Sequence, residues 1–159
     1  MVRVMKLFHG TGTRLTDGDL ITAYNQCTYY PDAVKVLEKG RPTGRPSRSI
    51  CLFATDTIAG ATRFMFGQKV DPFWIYEVEM VEFQRAPFRI TDEIDQRLSA
   101  GTPVDKLVAE YWSPTDTWFF NEYFGPSFIV IREVPAAEIV ELVSFDLSYS
   151  RDLRMSKAI

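Results

Sequence analysis

Apolar and polar positions fall into short blocks whose period changes along the chain. Residues 3–8 (RVMKLF) read as a short strand that ends in His-Gly-Thr-Gly-Thr. Asp17-Gly18-Asp19 is a turn with a short apolar stretch behind it. Asp32 is placed to cap a helix over AVKVLEK that stops at Gly40. Residues 40–48 (GRPTGRPSR) form a loop, and their arginines mark a candidate mobile, ligand-facing segment. ICLFAT (50–55) reads as a buried strand. The Thr-Asp-Thr that follows caps a helix over residues 57–66, with Gly67 ending it. FWIYEVEM (73–80) has strand composition and partial alternation. Thr91 caps a helix through Ala100, and Thr102-Pro103-Val104-Asp105 starts another, with Leu107, Val108 and Tyr111 on one side. Residues 113–126 look aromatic-rich and irregular, and FIVI (128–131) is a strong strand. Residues 136–147 read as a short turn and then a strand, and the polar tail after Ser150 as frayed. Strands and helices do not alternate regularly, which predicts an α+β fold rather than a doubly wound sheet.

Composition adds limits. The 159 residues suggest one domain spanning 1–159, with 46% hydrophobic and 14% aromatic residues to build its core. A net charge of −3 without a basic block argues against strong non-specific nucleic-acid binding, although Arg41, Arg45 and Arg48 allow a local basic patch. The N-terminal apolar run is too short for a signal peptide or a membrane span, so a cytoplasmic protein with no membrane partner is expected. Cys27 and Cys51, with one histidine, are too few for a zinc site, so no metal is expected. In a cytosolic protein, two buried thiols are favoured over a disulfide.

No GxSxG, P-loop or GxGxxG pattern is present. A Cys-His dyad would have to join His9 to Cys27 or Cys51, and nothing local supports either pairing. His9 stands where a strand leaves the core, next to Gly10, Thr11 and Gly12. Small neighbours let a ligand approach the backbone, so a ligand contact competes evenly with a structural histidine.

Leu7-Phe8-His9-Gly10-Thr11 resembles the first motif of the ADP-ribosyltransferase superfamily. Gly18-Asp19-Leu20-Ile21 is similar to the G-D-L stretch of its rifamycin-modifying branch. Phe53-Ala54-Thr55-Asp56-Thr57 and the alanine-bearing helix behind it resemble the second motif, and Ile75-Tyr76-Glu77-Val78-Glu79 the strand after that. The pieces cover about half the chain in the family's order.

The resemblance implies a compact split β-sheet core with short helices and NAD as co-substrate. It implies NAD anchoring by His9, Gly10 and Thr11, with Thr55 in the second motif and Phe53 stacking on the nicotinamide. Many relatives carry tyrosine at the position of Phe53; phenylalanine keeps the aromatic face and loses the hydroxyl. The third motif has two readings. Asn121-Glu122-Tyr123 resembles the Asn-Glu-Tyr of poly-ADP-ribose polymerases, whereas aligning FIVIREVP on its Val-Pro ending puts Ser127 at the glutamate position. Glu122 is the favoured catalytic carboxylate.

Arg48 and Ser49 precede the second-motif strand, where an arginine is able to meet a pyrophosphate bidentately; a solvated loop arginine is the alternative. Arg63 reads as a surface charge, and Glu77, Glu79 and Glu82 as a solvated face. Tyr111-Trp112 and Trp118-Phe119-Phe120 either line an acceptor pocket or, as aromatic clusters more often do, belong to the core. The expected activity is NAD-dependent mono-ADP-ribosyl transfer to an unidentified acceptor: protein, nucleic acid or small molecule. A toxin, antibiotic-modifying or effector role follows from family habit alone. The alternatives are a catalytically silent NAD- or partner-binding module on the same fold, and an RNA 2′-phosphotransferase-like enzyme.

Overall fold

Strand-forming segments from both halves of the chain meet in one antiparallel sheet. The computed structural model describes residues 4–24, 26, 29–115 and 121–139. Among them are β1 (Met5–Thr11), β2 (Leu20–Thr22), β3 (Leu52–Thr55), β4 (Trp74–Met80), β5 (Gln84–Pro87), β6 (Asn121–Gly125) and β7 (Ser127–Glu133). Their order across the sheet is β2-β7-β4-β1-β3-β6-β5. The helices are α1 (Pro31–Lys39), α2 (Ile58–Gly67), α3 (Phe88–Ser99) and α4 (Asp105–Trp112). The fold is therefore mixed α+β, with short helices on an antiparallel sheet.

The sheet is narrowest at its middle. β1 pairs with β4 along its whole length, from Met5↔Met80 to Thr11↔Trp74. On its other side it meets β3 at one registered pair, Phe8↔Thr55. Period-2 side chains of β4 explain the packing on this half: Tyr76, Val78 and Met80 are buried, while Glu77 and Glu79 alternate with them. These join Leu7, Phe128 and Val130, and the cluster extends across the narrow seam to Ala54 and Tyr123. On the β3-β6-β5 half, helices α1, α3 and α4 bury Leu37, Ile90, Ile94, Tyr111 and Trp112 against Ala86 and Phe124. Helix α2 lies over β1 and β4, packing Ile58, Ala61 and Met65 on Ile75.

Several boundaries differ from the expectation. β1 does not end before His9; pairing with β4 carries it through Gly10 and Thr11. Residues 121–125, expected to be irregular, are strand β6, paired from Leu52↔Gly125 to Thr55↔Glu122. Both faces of β6 are covered, Phe124 by the helices and Tyr123 by the central cluster. A strand buried on both sides shows no polar alternation.

Thr57 caps α2 as expected, its Oγ1 accepting from the Gly60 N–H at 3.0 Å. Asp32 does not cap α1, because the helix starts earlier, with Pro31 in its first turn after a left-handed Tyr30 (φ 51). Thr91 does not cap α3, which starts at Phe88 and places Thr91 inside its first turn. In the last expected segment, residues 136–139 form one helical turn. The rest of that segment, the tail after Ser150, Cys27 and Trp118-Phe119-Phe120 lie outside the described residues. Among the described residues, no helix is long and apolar enough to cross a membrane.

Candidate functional site

A cleft of about 310 Å³ opens where β1 and β3 part. Its walls include His9, Gly10, Thr11, Phe53, Thr55, Arg48 and Glu122. Segments far apart in the chain are thereby brought together. Ser49 and Ser127 are not part of the cleft wall. Ser49 hydrogen-bonds Ser47 and, through its N–H, Glu38. Ser127 pairs with Thr22 at the far side of the sheet.

His9 bridges the gap between the two strands. Its Nδ1 lies 2.6 Å from the Phe53 carbonyl oxygen. A carbonyl only accepts, so Nδ1 carries the proton and Nε2 of the neutral ring is an acceptor. Burial holds the His9 pKa below the ordinary 6.5, against the opposing pull of the Phe53 carbonyl. The ring leans on Phe128, with centroids 4.8 Å apart.

Gly10 has a packing role that the sequence did not reveal. A Cβ there would stand 2.5 Å from Met65 Cγ and 3.2 Å from the Ala61 carbonyl. Glycine lets α2 close over β1, and that face of Gly10 belongs to the helix rather than to a ligand.

At the other end of the cleft is a buried polar triad. Arg48 Nε donates to the Tyr111 hydroxyl at 2.8 Å, and that hydroxyl donates to Glu122 Oε1 at 2.6 Å. Arg48 Nε is also 3.4 Å from the same oxygen, with both side chains almost fully enclosed. Burial first, then the Glu122 charge, raises the Tyr111 pKa well above its ordinary value, so the phenol stays protonated. The Arg48 guanidinium sits 4.9 Å over the Phe53 ring, a cation–π contact. Arg48 is thus neither a solvated loop arginine nor an open pyrophosphate clamp; it is held by Glu122, Tyr111 and Phe53.

The other loop arginines are tied down as well. Arg41 pairs with Glu38 at 3.2 Å, and Arg45 donates to Gln84 Oε1. These bonds anchor the segment 40–48 to α1 and β5, with Arg41 and Arg45 exposed. Tyr111 and Trp112 belong to the core, as aromatic clusters usually do, although the Tyr111 hydroxyl still reaches the cleft triad. Arg63 is exposed, and Glu77 pairs with Arg132 at 3.4 Å.

Tyr29, Tyr30, Phe64 and Gln68 also line the cleft and were not singled out in the sequence, while Cys51 and Thr91 were named there in other roles. Tyr30 precedes Pro31, a position pushed out of the right-handed helical region, and that was the available signal. Cys51 directs its thiol to the Arg48 carbonyl at 3.1 Å. No protein-family profile matches the chain, and no curated protein matches it.

Proposed function

We propose that the protein is an NAD-dependent mono-ADP-ribosyltransferase of the ADP-ribosyltransferase superfamily. One observation carries the reading: His9 to Thr11, Phe53 to Thr55 and Glu122, three separate motif segments, line one cleft. In the reaction, the bond from the ribose carbon to the nicotinamide nitrogen breaks, and its electron pair leaves with nicotinamide. The acceptor's nucleophile bonds to that carbon and loses a proton.

The residues present fit such a substrate. His9 Nε2 is an acceptor for a ribose hydroxyl, and its tautomer is fixed by the Phe53 carbonyl. The Phe53 ring is engaged by the Arg48 guanidinium and Phe124, so a nicotinamide stacked on it takes the place of the guanidinium. Glu122 supplies negative charge near the carbon that becomes cationic as the bond breaks. A volume of about 310 Å³ is at the lower end of small-molecule sites. It encloses part of a dinucleotide and leaves the remainder at the mouth.

A second reading, a silent NAD-binding module, is favoured by one feature. The Glu122 charge is paired with Arg48 at 3.4 Å, so less net negative potential reaches a developing cation. Calorimetric titration with NAD, followed by chromatography for nicotinamide after incubation with labelled NAD and a lysate, separates the two. Binding, nicotinamide release and a labelled product support the transferase. Binding without either product supports the silent module, and no binding overturns both.

A further inference from the structure

One polar side chain of the cleft has no part in this chemistry. Thr91 stands in the first turn of α3, is 2% exposed, and lines the cleft with Tyr30, Arg48 and Glu122. Its Oγ1 has no hydrogen-bond partner among the described residues. A helical threonine ordinarily returns its hydroxyl to the carbonyl one turn back, as Thr62 does to Ile58 at 2.8 Å. Thr91 keeps both its donor and its acceptor capacity. A buried hydroxyl without a partner disfavours the folded state, and valine would fill the same shape without that cost. The arrangement makes sense when a ligand completes the bond.

Position narrows what that ligand group is. Helix α3 follows directly on β5, whose Ala86 and Pro87 pair with Glu122 and Asn121. Thr91 and Glu122 therefore belong to adjoining parts of one wall. A carboxylate that accepts, beside a hydroxyl that both donates and accepts, suits a vicinal diol. On the NAD reading, the charge of Glu122 belongs beside the reacting carbon and so meets the hydroxyl next to it, which leaves the neighbouring hydroxyl for Thr91. We infer that Thr91 is a specificity-determining residue that recognises the 3′-hydroxyl of the nicotinamide-side ribose. The inference rests on the NAD reading above.

The test uses the full chain, wild type, Thr91→Val and Thr91→Ser. Calorimetry is run with NAD and with an NAD analogue lacking that 3′-hydroxyl, and thermal unfolding is measured without ligand. Thr91→Val should bind NAD about tenfold more weakly, the loss of one hydrogen bond. Its ligand-free unfolding temperature should be unchanged or higher, because no internal bond is lost. Thr91→Ser should keep NAD affinity. The analogue should bind wild type about tenfold more weakly than NAD does, with no further loss in Thr91→Val. Unchanged NAD affinity in Thr91→Val overturns the inference while leaving the NAD reading intact, and so does a lower ligand-free unfolding temperature. Equal losses for NAD and the analogue overturn the 3′-hydroxyl assignment. Failure of wild type to bind NAD overturns the NAD reading itself.

Discussion

Removing Glu122 tests whether the cleft is held by a coupled charge pair. Arg48 and Glu122 are 4% and 6% exposed, and Nε is 3.4 Å from Oε1. The Tyr111 hydroxyl closes the network. At that separation two unit charges attract by about 5 kcal/mol at an effective dielectric of about 20. Much of this offsets the desolvation of both groups. Deleting one partner removes the attraction and keeps the other's desolvation, a net loss of about 3–5 kcal/mol. Glu122→Leu and Arg48→Met should each lower the unfolding free energy by about that amount. The double variant Arg48→Met/Glu122→Leu should recover to within about 1–3 kcal/mol of wild type, because no unpaired charge remains and only the buried Tyr111 hydroxyl loses its partners. Urea unfolding followed by tryptophan fluorescence reads all four corners of the cycle. Single losses under about 1 kcal/mol, or a double variant that shows the sum of the two, would refute the coupling. The double variant also separates stability from chemistry: it should fold and release no nicotinamide from NAD.

Other consequences are simpler. His9 has a folded-state pKa below the ordinary 6.5, so the unfolded chain binds its proton more readily, and stability is full above that value and falls as pH drops through the folded-state pKa. His9→Asn keeps a donor for the Phe53 carbonyl and removes the titration. It should therefore lose less stability than wild type between about pH 7.5 and 5.5, and equal losses in urea unfolding would contradict this. Gly125→Ala should destabilise by about 3 kcal/mol or more, because its Cβ would lie 2.1 Å from the main-chain oxygen of Glu82; a soluble variant with an unchanged melting temperature would disprove the contact. Thr57→Ala removes the α2 cap and should cost about 1 kcal/mol by the same unfolding assay, with Thr57→Ser close to wild type.

The sequence was most readable where charged residues alternate with buried apolar ones. β4 alternates Tyr76, Val78 and Met80 with glutamates, and its limits were predicted to within a residue. Thr57 was legible because a cap leaves a local signature. β6 was not, since both of its faces are covered and an aromatic-rich run carries no period. Thr91 was misread for a related reason. The residue type that caps a helix is the same type that hides a hydroxyl inside its first turn, and helix start alone tells them apart. Of the candidate site, His9, Phe53 and Glu122 were named from spacing and resemblance, and all three line the cleft. Arg48 was named beside the second-motif strand, and its protein partners were not foreseen. Its ion pair joins residues that are distant in sequence, and its hydroxyl bridge comes from an α4 tyrosine that reads as core.

The narrow seam explains why one histidine both pairs with the main chain and turns an acceptor nitrogen outward from that bond. Continuing the single β1–β3 pair, Phe8↔Thr55, would set Gly10 opposite Phe53. The strands part instead, and the Phe53 carbonyl has no β1 main-chain partner there. A partly buried carbonyl left unpaired costs free energy, and the His9 imidazole removes that cost with a 2.6 Å bond. The bond that closes the seam also assigns the ring proton to Nδ1 and makes Nε2 the acceptor. Burial, the larger influence on its pKa, keeps the ring neutral near neutral pH, so that acceptor persists. An asparagine at this position preserves the seam and cannot present an imidazole nitrogen. The seam bond and the acceptor that the proposed NAD site would use are thus separable at His9, even though a single hydrogen bond sets both.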